Sequence, residues 1–196
     1  MGALQEFIAS GAFAFMLTFV RIGTAMTIMP GIGDSFTPQN IRLYIALGFS
    51  VVLTPLVLPL MPSPIPEGAA MMALIVMEFI IGLFIGTVAR ILMMALDTAG
   101  MIISFQSGLG NAQLFNPAMS TQGSIFGSFL SMVAVMILFA ANLHYLLFYG
   151  LVDSYKMFPV GQMPDTGSMA DLIAQAVGQS FLIGTQIAAP FIIVGW

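Results

Sequence analysis

Ser107 stands in the run Phe105-Gln106-Ser107-Gly108-Leu109-Gly110, the part of the chain that comes nearest to a nucleophile's setting. A nucleophile elbow, G-x-S-x-G, needs glycines two residues to either side so that the backbone can turn sharply and present the hydroxyl. Phe105 and Leu109 hold those positions, so the elbow fails, and the G-x-S-G of an intramembrane serine protease fails at Phe105 as well. Gly108-Leu109-Gly110-Asn111-Ala112-Gln113 lacks the third glycine of a dinucleotide fingerprint and follows no strand. The one lysine, Lys156, lies in no G-x-x-x-x-G-K-[ST] run, so no phosphate cradle is expected. Cysteine is absent and His144 is the sole histidine, which removes Cys/His metal cages, haem thiolates and Fe–S clusters. His144, beside Tyr145, reads as a polar residue near a helix end. No enzyme and no cofactor is expected.

The charges inside apolar runs carry a sharper signal. Arg21, Glu78 and Arg90 interrupt long hydrophobic stretches, and each such charge costs at least ~2.5 kcal/mol at the bilayer centre unless it is paired or hydrated. Arg21 lies about 21 Å and Glu78 about 14 Å from the outer ends of their runs at 1.5 Å per residue. Their depths differ by less than two helical turns, so we expect an Arg21–Glu78 pair; the rival reading has each facing a separate subunit or a water-filled channel. Arg90 and Asp97 share a helical face but sit about 10 Å apart along the axis, too far for direct contact.

These residues must be held by membrane-spanning helices. Only 6% of the 196 residues are charged, eight acidic and four basic, while 59% are hydrophobic. So few charges cannot cover a soluble globule of this size. No basic stripe exists to hold a phosphate backbone, which excludes nucleic acid as a main partner. The sequence therefore predicts an all-α membrane protein, a single polytopic domain with apolar runs at 7–29, 41–61, 69–96, 125–149 and 168–196. Run one is too long for a cleaved signal and no Lys or Arg precedes it. Run two carries Pro55 and Pro59 and flows into Pro62, Pro64 and Pro66. Only Ile41–Thr54 is expected as regular helix there, about 21 Å against the ~30 Å of a hydrocarbon core. Such a broken segment is tolerated at depth only where neighbouring protein re-satisfies its carbonyls. Run three is too long for a perpendicular span.

Residues 97–124 read as a long mixed loop, with Gly, Asn, Gln, Ser and Thr around isolated apolar residues, and loops of that length are usually functional or disordered. Beyond it, Ser168 is expected to cap the last helix and Pro190 to bend it. Placing the N-terminus outside puts Arg21, Arg42 and Arg90 on the cytoplasmic side and Lys156 outside. Gly82 and Gly86 lie mid-run and form a small-residue face that lets another helix approach closely, whereas Gly123 and Gly127 straddle a loop boundary. Met101 and Met119 flank or occupy the glycine-rich loop as candidates for a deformable seal.

The order Phe19-Val20-Arg21, Pro30-Gly31-Ile32-Gly33, Arg42, a glycine-containing third helix, Gly100, Gln106, Gly108-Leu109, Phe115-Asn116-Pro117, His144, and Ser154 with Phe158-Pro159-Val160-Gly161 resembles the R subunit of the flagellar type III export apparatus, the FliR family. The injectisome T subunit shares the pattern more loosely. The resemblance implies kinked helical hairpins packed into a hetero-oligomeric export-gate assembly in the inner membrane at the flagellar basal body. One R copy would join several P-like and Q-like subunits, beside neighbouring switch and export-ring subunits, and pass unfolded export substrates. The family's loop between its third and fourth helices plugs the resting pore. That role maps onto Gln106–Gln122, with Gln106, Gly108, Leu109, Gly110, Phe115, Asn116, Pro117 and Met119 as the plug residues. Asn116 stands where relatives commonly carry an acid before proline. The family continues into a Q-like C-terminal hairpin, of which Ala188-Ala189-Pro190 resembles the start, so the resemblance implies a C-terminally truncated member. The alternatives are a stand-alone secondary transporter or channel, with its site at broken helices, and an intramembrane hydrolase, for which every nucleophile context is missing.

Overall fold

A computed structural model describes residues 2–108, 124–162 and 164–194. Regular structure among them is helical throughout: α1 (Gly2–Ile28), α2 (Gln39–Val57) followed by a 3-10 turn (Leu58–Leu60), α3 (Ala69–Gln106), α4 (Ile125–Ala140), α5 (His144–Met157) and α6 (Thr166–Val194). Four helices, α1, α2 with its 3-10 turn, α3 and α6, are long and apolar enough to cross a membrane, and α4 with α5 passes the same test as a broken span. The chain is an all-α membrane protein.

Helix limits depart from the apolar runs where polar groups find partners. α3 continues past Leu96 to Gln106, so the first part of the expected 97–124 loop is helix. Asp97 there accepts a hydrogen bond from Ser131 Oγ of α4 at 2.5 Å, and Thr98 Oγ1 donates to Met94 O at 3.0 Å. α2 runs through Pro55 to Val57 rather than ending at Thr54. The proline stands so near the helix end that it removes a single intrahelical bond.

The run expected at 125–149 is two helices, not one. Asn142 adopts φ 58°, while its N–H donates to Phe139 O at 3.1 Å and Leu143 N–H to Leu138 O at 2.9 Å. That is the Schellman pattern, which stops a helix whatever its hydrophobicity. At α6 the cap is Asp165, not Ser168. Its carboxylate accepts from the N–H of Gly167 (3.1 Å), the N–H of Ser168 (3.3 Å) and the Ser168 hydroxyl (2.6 Å).

The fold resolves into two compact units, residues 1–87 with 145–169 and residues 88–144 with 170–196. In the first, Ile22, Ala25, Met26 and Met29 of α1 pack with Ala46 and Leu53 of α2 and Leu151 of α5. Phe13, Leu17 and Leu74 form a second cluster in that unit. The core of the other unit is Ala99 and Ile103 of α3 with Ala188 of α6, against which Phe126, Leu130 and Ile192 lie.

Candidate functional site

The first unit holds a buried ionic centre, and α1 sets it up. Leu17, Thr18, Arg21, Ile22 and Ala25 recur at helical spacing and are all fully buried, so the face that carries the arginine is the face that must pack. Opposite it, Gly82 and Gly86 leave α3 without side chains for one turn. A Cβ at Gly82 would strike the Arg21 carbonyl oxygen, and one at Gly86 would lie 2.7 Å from Ala25 O. The two glycines thus let α3 rest backbone-close on α1. Glu78, one turn before Gly82, is carried to the level of Arg21.

There the guanidinium Nε donates to Glu78 Oε2 at 2.5 Å and Nη2 to Oε1 at 2.8 Å, a two-pronged pair with side-chain exposures of 0% and 1%. Nη1 donates to Ser154 Oγ at 3.3 Å and Nη2 also to Phe158 O at 3.0 Å. Tyr155 lays its ring under the cation, with Arg21 Cζ 4.0 Å from the ring centroid. Ser154 in turn donates to Leu151 O at 2.7 Å. One side chain therefore ties α1 to α3, to α5 and to the turn after α5. A buried charge is tolerated when its counter-charge is this close and its remaining donors are met. The centre has no open face for a substrate, and what it can do is hold three helices in register.

In the second unit the end of α3 is fastened to the start of α4. Ser104 near the end of α3 and Ser124 before α4 share a hydrogen bond of 2.8 Å, both buried. Ser124 is also the N-cap of α4, accepting from Gly127 N–H at 2.8 Å. Gly100 and Gly127 lie so close that a Cβ on Gly100 would overlap the Gly127 backbone. Of the residues expected in a plug, Gln106 is the last residue of α3 and is exposed, and Gly108 follows at φ 75°, the left-handed position that ends a helix. Leu109, Gly110, Phe115, Asn116, Pro117 and Met119 lie outside the described residues. Met101 is half-exposed on α3.

The sequence profile described as "Bacterial export proteins, family 1" matches residues 12–196. The chain belongs to that family. Flagellar biosynthetic protein FliR of Caulobacter vibrioides is 39% identical over 192 residues, 97% of this chain and 74% of its own length. FliR of Bacillus subtilis is 28% identical over 184 residues, covering 91% of this chain and 70% of its own. The Yop proteins translocation protein T of Yersinia pestis is 35% identical over 129 residues, 65% of this chain and 49% of its own.

In this export-family chain the remaining charges separate by role. Arg42 works locally: Nη2 donates to Asp34 O (2.6 Å) and Thr37 O (2.9 Å), and Nε to Thr37 O (3.1 Å), while Asp34 Oδ2 accepts from Gly31 N–H at 2.7 Å. It staples the turn that joins α1 to α2. Arg90 belongs to the second unit. His144 begins α5, 5.1 Å from the Phe139 ring. Among the described residues no group of three acidic, His or Cys side chains converges on a metal position. Sequence reasoning on the charges missed Ser154, Tyr155 and the Phe158 carbonyl. Their signal was the four-residue spacing of Ser154 and Phe158, which puts both on one face where α5 ends.

Proposed function

We propose that this chain is a structural, non-enzymatic subunit of a flagellar type III export gate in the bacterial inner membrane, built with P-like and Q-like subunits around a conduit for unfolded export substrates. The observation that carries the reading is the apolar length of α3. Large hydrophobic side chains from Met72 to Phe105 stand exposed along it, about 50 Å of helix at 1.5 Å per residue. That length exceeds a hydrocarbon core of ~30 Å, so the helix must tilt, bend or protrude. In this reading part of that surface is covered by protein, not lipid, and family membership names the kind of assembly that supplies it.

Residues 106–122 are the resting plug in this reading. The Ser104–Ser124 bond and the Gly100–Gly127 crossing give the segment two joined roots, so it can change shape without moving the helices that carry it. Gly108 and Gly110 supply backbone freedom, and Leu109, Phe115 and Met119 exclude water and ions. The N-terminus faces the periplasm, following the arginine distribution.

Isolation of the native complex through this chain tests the reading. A large hetero-oligomer is expected; a stable, well-folded monomer or small homo-oligomer would support the alternative of a stand-alone transporter, for which the broken α4–α5 pair is the favouring feature. Deleting residues 106–122 from an assembled gate should let ions or small solutes leak, and unchanged permeability would remove the plug.

A further inference from the structure

A groove of about 820 Å³ opens in the first unit between α1, α2 and α3. Its walls are apolar along most of their length, with Phe19, Ile75 and Phe79 among them, and Gly23 leaves space on the α1 side. The amide and charged lining is confined to the first turn of α2, at Gln39, Asn40 and Arg42. Arg42 spends Nε and Nη2 on the carbonyls of Thr37 and Asp34; Nη1 makes none of these bonds. Arg42 is partly exposed.

We infer that the groove seats one anionic phospholipid, with acyl chain along Phe19, Ile75 and Phe79 and phosphate at Arg42. The reasoning is complementarity of shape and charge. A narrow apolar trough with a single cation at one end matches an amphiphile with one anionic head, and basic pockets between spanning helices recognise such headgroups. The volume falls in the ~300–1,000 Å³ range of small-molecule sites. A helix of another protein laid in the same place would have to bring a carboxylate to Arg42 or leave its remaining donors unmet.

The chain, isolated with the subunits it carries, is placed in phosphatidylethanolamine nanodiscs holding a minor share of phosphatidylglycerol, and the lipid retained after detergent washing is identified by native mass spectrometry. The wild-type chain should retain phosphatidylglycerol preferentially. Gly23→Leu should cut retention about tenfold by filling the trough; the Cβ itself meets nothing nearer than the Phe19 ring at 3.6 Å. Arg42→Gln should lower the preference for the anionic lipid about fivefold, the weight of one cation at a membrane surface. Arg42→Lys should keep that preference although it cannot fork across the turn, which separates headgroup binding from the staple. Undiminished retention in Gly23→Leu, equal loss in both Arg42 variants, or a photo-reactive side chain at position 79 that labels a protein segment instead of lipid would each overturn the inference.

Discussion

Removing Glu78 should damage this protein far more than removing Arg21. In Glu78→Ala the guanidinium keeps its charge and stays fully buried, with only the Ser154 hydroxyl, the Phe158 carbonyl and the Tyr155 ring around it. Breaking a buried pair this way costs ~3–5 kcal/mol, or roughly two to three and a half decades in the folding equilibrium. Arg21→Met leaves a carboxyl behind, and a carboxyl can take a proton and sit as a neutral group, which a guanidinium cannot. Its loss is then the unmet Phe158 carbonyl and the broken bonds, ~1–3 kcal/mol. Arg21→Met with Glu78→Leu removes both charges and should recover most of the Glu78→Ala deficit. Each variant is extracted in mild detergent, heated in steps and passed over a sizing column, so that the temperature halving the native peak ranks them. Such heating is irreversible, which makes the ranking one of apparent stability. Equal loss in the two single variants, or a double variant worse than Glu78→Ala, would refute the reasoning.

Three further outcomes follow from the packing. Gly100→Ala should cost ~1–3 kcal/mol by overpacking against the Gly127 backbone, whereas Gly48→Ala, with open space at its Cβ, should leave the same heating profile unchanged or improved. Asn142→Val should lose ~1–2 kcal/mol by forcing a branched side chain into the left-handed conformation, and Asn142→Gly should not; the measurement is again the apparent melting temperature. Asp165 is held below the usual carboxylate range, first by the Ser168 hydroxyl and then by the N–H groups of Gly167 and Ser168. A depressed folded value means that its contribution is present above the ordinary ~3.9 of aspartate and lost as pH falls through the folded value. Hydrogen exchange at the start of α6, corrected for intrinsic rate, should accelerate over that acid window in the wild type and show no such step in Asp165→Asn.

Hydrophobicity made the helical membrane class and the number of apolar runs legible, because lipid leaves the backbone few other options. Helix ends were less legible, because side-chain partners distant in sequence decided them. Asp97 and Gly100 look like loop residues until Ser131 and Gly127 come to meet them. The stop at Asn142 lies in a backbone pattern that hydrophobicity does not encode. Ser168 was a plausible cap, but Asp165 reaches the same N–H groups with a charge. At the ionic centre, depth arithmetic pointed Arg21 toward Glu78 because both sit on runs whose ends are visible. Ser154 and Tyr155 escaped because they lie past the apolar run 125–149, between two runs, so no depth could be counted for them. Gly127 was set aside with Gly123 as a boundary pair, yet it is one side of a backbone crossing.

The guanidinium at position 21 draws on Glu78, 57 residues later, and Ser154, 133 residues later. During synthesis the first helix must therefore enter the membrane with an unmatched cation, and its first counter-charge arrives only with the third helix. Until then that helix has reason to linger at the lipid–water boundary, where the charge stays hydrated. The last donors are met only when α5 and the turn beyond it have been made. Insertion of this protein is thus provisional at its beginning and completed from its far end.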